Sequence, residues 1–125
     1  MATVQSYGGT PANANLSAAQ TGNGASTNVV DRGGSTGPAL LRIVTTVGAT
    51  PTCTYLVEGS ANGTEWAPAP IADPATPAIP SVATFAITTA TTTLKYLLTG
   101  YPWRYLRVTM SANTNVTSTI DVWTF

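Results

Sequence analysis

The chain has 125 residues, 43% of them hydrophobic and only 8% charged, with five basic and five acidic side chains, no histidine and one cysteine. That is the length of one domain with one core. A neutral chain with scattered cations lacks the basic stripe that attracts nucleic acid or an anionic membrane, and without histidine it lacks the commonest general base and zinc ligand.

Residues 1–25 are rich in Gly, Ala, Asn, Thr and Ser, and Tyr7 and Leu16 are their only sizeable apolar anchors. A segment of this composition buries little and becomes ordered by lying on another surface, so it is expected to be an N-terminal arm, partly extended. Residues 26–125 form the domain proper. Leu16 to Ala19, followed by Gly22-Asn23-Gly24, reads as a short strand and turn entering Ser26 to Asp31. Gly33-Gly34-Ser35-Thr36-Gly37 lacks the lysine of a phosphate cradle and reads as a turn.

Ala39 to Val47 alternates with Leu41, Ile43 and Val47 on one face, and Gly48-Ala49-Thr50-Pro51 breaks it. Thr52 to Glu58 follows, with Cys53, Tyr55 and Val57 in phase; Cys53 has no partner for a disulfide and reads as a buried thiol. Asn62-Gly63 then marks a hairpin turn between Glu58 and Trp66. Pro68, Pro70, Pro74, Pro77 and Pro80 exclude a central strand, leaving an edge, a crossover or a surface loop. Pro74 and Pro77 are candidate partner contacts there, since loops carried by a scaffold often bind.

Ser81 to Thr89 and Thr92 to Leu98 resume the strand pattern, with Leu94, Tyr96 and Leu98 aligned by twos. Thr99-Gly100-Tyr101-Pro102 leads into Tyr105 to Ser111, where Leu106, Val108 and Met110 share a face. Ala112-Asn113-Thr114-Asn115 turns again before Ser118 to Phe125. In that final stretch Ile120, Val122 and Thr124 lie on one face, and Trp123 and Phe125 lie opposite with Asp121. Two large aromatics on the polar side require cover, from the N-terminal arm or from a neighbouring subunit. No stretch carries an apolar stripe at helical spacing. About seven or eight short strands with regular turns predict an all-β fold, a single β-sandwich that is jelly-roll-like or immunoglobulin-like, with a proline-rich loop.

Glu58 and Glu65 flank one turn, as solvated carboxylates do, and the acids form no dense calcium-type loop. No catalytic, metal or cofactor site is therefore expected, and the chain reads as a non-enzyme. Functional weight falls on aromatics that stack on sugars or anchor interfaces: Tyr101 and Trp103, with Trp66 read as packed beneath its own turn. The expected contact residues are Tyr7, Leu16, Pro74, Pro77, Tyr101, Trp103, Trp123 and Phe125.

The turn Glu58-Gly59-Ser60-Ala61-Asn62-Gly63-Thr64-Glu65-Trp66 and the downstream Trp103-Arg104-Tyr105-Leu106-Arg107-Val108 carry a resemblance. Together they resemble small β-sandwich proteins of tailed-bacteriophage virions, above all capsid decoration, or cement, proteins and minor structural proteins. This resemblance implies a structural protein in many copies on a capsid surface, synthesised in the host cytoplasm, binding the major capsid protein and often trimeric. The same two motifs are similar to those of discoidin-like galactose-binding domains, which implies as an alternative a carbohydrate-binding module of a tail or fibre; a head-tail or baseplate component is a third alternative. That family also carries a Trp region in a longer N-terminal portion, and nothing before Trp66 here is Trp.

Overall fold

The computed structural model describes residues 3–6, 12–33, 38–76, 84–97 and 103–124, with side chains from Asn15 onward. The described residues are β-strand and connecting turns, with no helix, joined in one nine-stranded sheet. In chain order the strands are β1 (Thr3–Ser6), β2 (Ala12–Gln20), β3 (Gly24–Ala25), β4 (Asn28–Asp31), β5 (Ala39–Ser60), β6 (Ala67–Pro68), β7 (Phe85–Ile87), β8 (Thr92–Leu97) and β9 (Tyr105–Thr124). The all-β expectation therefore holds.

β5 and β9 form an antiparallel ribbon along their whole length, from Ala39 opposite Thr124 to Ser60 opposite Tyr105. Their β-branched, alternating sequences suit a half-buried pleat. Drawn straight, β5 would run for about 70 Å at the usual rise per residue. Yet Leu41 and Val57 line the same cavity of about 10 Å³, and the Tyr55 hydroxyl lies 2.6 Å from Ser118, which pairs with Thr45. The ribbon is therefore folded over on itself, and its two limbs share one interior.

The fold occurs where the sequence suggested turns. Register slips between Val47 and Thr52, and Thr50, Ala112 and Asn115 adopt left-handed φ near +50°. Such backbone bends a strand sharply and strengthens its twist. Gly48 admits the close approach, since a Cβ there would sit 3.2 Å from the Asn115 Cβ. The Asn115 side chain donates to the Ala49 carbonyl at 2.7 Å, and Asn113 donates to the Thr21 and Val116 carbonyls. Gly48–Pro51 and Ala112–Asn115 thus do not end strands; they face each other as one crease.

The N-terminal region lies along the chain's own β9. β2 pairs with the Ser118–Thr124 stretch, β3 with Met110 and Thr109, and β1 runs parallel to β4. Leu16 is fully buried and fixes this attachment. The proline segment crosses from β6, paired at Glu58 and Gly59, to a bridge between Ala72 and Tyr96. On the way Ala69, Ile71 and Ala72 are buried, so this stretch closes part of the core.

Inside, Leu41, Ile43, Tyr55, Val57, Leu106, Val108, Met110, Val116, Ile120 and Val122 form one apolar cluster, with Cys53 fully buried among them. The small cavity is lined almost wholly by apolar side chains, among them Leu16, Leu41, Val57 and Val122. Burial pushes the Cys53 thiol up and the Tyr55 hydroxyl up.

Candidate functional site

Each limb also has an outer face, and the two differ. On the first limb the register places Trp123, Leu40 and Tyr96 side by side across β9, β5 and β8, with Asp121, Arg42 and Leu94 in the next row. Directly paired residues project to the same side of a sheet, so these six form a continuous patch. Leu94 is 38% exposed, and Leu40, Tyr96 and Trp123 are half-buried. The predicted opposition of Trp123 and Asp121 to Ile120 and Val122 is the observed register.

The charge in this patch is closed locally. Arg42 pairs with Asp121 at 2.9 Å, and its guanidinium lies 4.7 Å from the centre of the Trp123 ring. Asn15 donates to the other Asp121 oxygen at 3.0 Å. The same acid, cation and ring arrangement recurs as Asp31, Arg104 and Tyr105, as Glu58, Arg107 and Trp66, and as Asp73, Lys95 and Phe85. Each cation is neutralised and laid on an aromatic face, which leaves a surface of little net field. Arg104 beside Asp31 holds that carboxyl below its usual range, aided by the Gly33 N–H and opposed by burial.

The expected contact residues divide. Trp123 lies in the outer patch, and Pro74 is exposed in a turn closed by the Thr76 N–H donating to the Asp73 carbonyl at 3.0 Å. Leu16 belongs to the core, where its side chain meets the interior and not solvent. Trp103 packs on the core against Gly59, whose added Cβ would fall 2.3 Å from the indole. Tyr7, Pro77, Tyr101 and Phe125 lie outside the described residues. Trp66, expected beneath its turn, is half-buried under the Arg107 guanidinium at 4.2 Å, while Trp103 occupies the position against the core.

Leu40, Arg42, Leu94 and Tyr96 were not singled out from sequence. The alternation of Leu94 and Tyr96 was visible, but alternation gives a shared face and not its direction. Among the described residues no three acids or cysteines gather as a metal site. An open groove of about 390 Å³ at the crease is lined by Thr21, Thr46, Val47, Gly48, Asn115, Val116 and Thr117, with no ionisable group. The outer patch combines apolar and aromatic area with a charge pair closed within it. The chain matches no protein-family model and no curated protein.

Proposed function

We propose that this is a structural virion protein that binds and stabilises a bacteriophage capsid surface, as a decoration or cement protein. We propose also that its folded ribbon is a β-sandwich in overall plan, jelly-roll-like or immunoglobulin-like. The observation that supports the role best is the first limb's outer patch, where Leu40, Leu94, Tyr96 and Trp123 present apolar area around a charge pair that is already neutralised. Such a surface gains by desolvation against a similar neutral surface and gains little from free ions or nucleic acid. The motif resemblance supplies the capsid as partner, with the major capsid protein as the contacted chain and a trimer as the favoured assembly. Binding only the assembled shell stabilises that state by mass action over many sites.

The test is addition of purified protein to capsids that lack it, read by co-sedimentation and by the temperature of shell disruption. Wild type is expected to bind and raise that temperature, and Trp123→Ala to keep its fold and bind about tenfold or more weakly, as loss of an aromatic anchor does. No association with any such shell overturns the reading. Glycan binding abolished by Trp123→Ala would favour the carbohydrate module in its place.

A further inference from the structure

The loop joining β5 to β6 contains a cluster of reacting groups that the contact patch and the core do not use. Ser60 is fully buried, and its hydroxyl accepts the Gly63 N–H at 2.8 Å while donating to the Asn62 side-chain carbonyl at 3.1 Å. That same carbonyl oxygen accepts the backbone N–H groups of Thr64 and Glu65, each at 2.9 Å. The Asn62 amide nitrogen donates to the Glu65 carboxylate at 3.4 Å. Gly63 adopts φ +80°, with the Tyr105 ring 3.6 Å from where a Cβ would stand.

We propose that Ser60, Asn62 and Gly63 form a self-modification site that converts Asn62 to a succinimide and then to aspartate or isoaspartate. The Gly63 nitrogen bonds to the Asn62 Cγ as its proton passes to Ser60 Oγ, and the Ser60 hydroxyl proton passes to Asn62 Oδ1. This gives a neutral tetrahedral centre without a free hydroxide ion. The N–H groups of Thr64 and Glu65 stabilise the negative charge that develops on Oδ1 during attack, as an oxyanion hole does. In collapse the Oδ1 proton moves to the side-chain nitrogen, the bond from Cγ to that nitrogen breaks, and ammonia leaves beside the Glu65 carboxylate. Water then opens the ring at either carbonyl. The reaction occurs once per chain, and it gives a protein of zero formal charge one new carboxylate next to Glu65.

A flexible Asn-Gly pair also cyclises, but it relies on hydroxide to remove the amide proton, so its rate climbs with pH. The relay in this loop replaces hydroxide by a positioned hydroxyl. Folded wild-type protein, the same chain unfolded in guanidinium, and Ser60→Ala are incubated together, and peptide mapping by mass spectrometry follows succinimide, aspartate and isoaspartate at Asn62. The folded chain is expected to convert about a hundredfold or more faster than the unfolded chain, the scale of one positioned proton transfer. Its rate is expected to vary little between about pH 6 and about pH 8, where the unfolded chain's rate rises, and Ser60→Ala is expected to be slower than wild type. Conversion no faster in the folded chain than in the unfolded one, or no slower in Ser60→Ala than in wild type, overturns the proposal. If Ser60→Ala does not fold, the folded-to-unfolded ratio and its pH dependence decide the matter alone.

Discussion

The two limbs of the ribbon are built from the same two strands and bury the same interior, but they turn different outer faces to solvent. The first limb shows Leu40, Leu94, Tyr96 and Trp123 around one ion pair. The second shows two, Asp31 with Arg104 and Glu58 with Arg107, each laid on its ring, and Thr109 donates a further hydrogen bond to Glu58. Interior composition follows from folding in both limbs, so it cannot distinguish them; the outer faces are free to specialise. Apolar and aromatic outer area is concentrated on the first limb, and the second carries partly buried, charge-matched pairs.

The sharpest way to break this comparison is to remove core volume from either limb. Ile43→Ala in the first and Val108→Ala in the second truncate fully buried branched side chains, at an expected cost of about 2–5 kcal/mol for the isoleucine and about 1.5–3 kcal/mol for the smaller valine. Because the limbs share a core, both variants should still unfold in a single urea transition seen equally by fluorescence and far-ultraviolet circular dichroism. Separate transitions would show that the limbs are independent. Gly59→Ala acts on the second limb alone: its Cβ meets the Trp103 ring, and expulsion of the indole is expected to cost about 1–3 kcal/mol with a shift in tryptophan emission. Tyr55→Phe removes the hydrogen bond that joins the limbs and leaves the buried Ser118 hydroxyl without that partner. A loss of about 1–2 kcal/mol in urea unfolding is expected.

The smallest effect sharpens the account of the second limb's surface. Asp31 has its native pKa depressed by Arg104, so its contribution to stability is complete above the unfolded carboxyl value, near about 4, and is lost as pH falls through the lower native value. Wild type should therefore exceed Asp31→Asn in urea midpoint at neutral pH, with the gap closing in acid. A gap that persists unchanged at low pH would assign the effect to packing and not to the ion pair.

Much of this arrangement was legible as parity. Cys53, Tyr55 and Val57, and Leu106, Val108 and Met110, fall on buried faces as their alternation indicates. Val47 shares the phase of Leu41 and Ile43 but sits at the crease and is 37% exposed, because a strand's phase holds only while the strand is straight. The turn chemistry at Gly48–Pro51 and at Ala112–Asn115 was also visible, as two separate ends. That they oppose each other depends on pairing between segments far apart in the chain, which local propensity does not encode. The proline segment reads as an edge, a crossover or a surface loop; it pairs at β6 and crosses to the bridge at Ala72, and the sequence did not show that Ala69, Ile71 and Ala72 are buried on the way. Trp66 and Trp103 exchanged places for a related reason: Gly59 leaves a hollow on the core side of β5, and only the three-dimensional register shows which indole fills it.

The place of β9 has a consequence for how the molecule is made. It pairs with β2, β3, β4 and β5, all of which leave the ribosome before it. During synthesis those segments wait with open hydrogen-bonding edges, and β5 waits with its apolar face uncovered. Contacts this distant in sequence form slowly and expose the nascent chain to aggregation until they close. Productive folding is thus timed to the emergence of Tyr105–Thr124, and shortening the chain within that strand should leave material that a chaperone retains, whatever the stability of the finished protein.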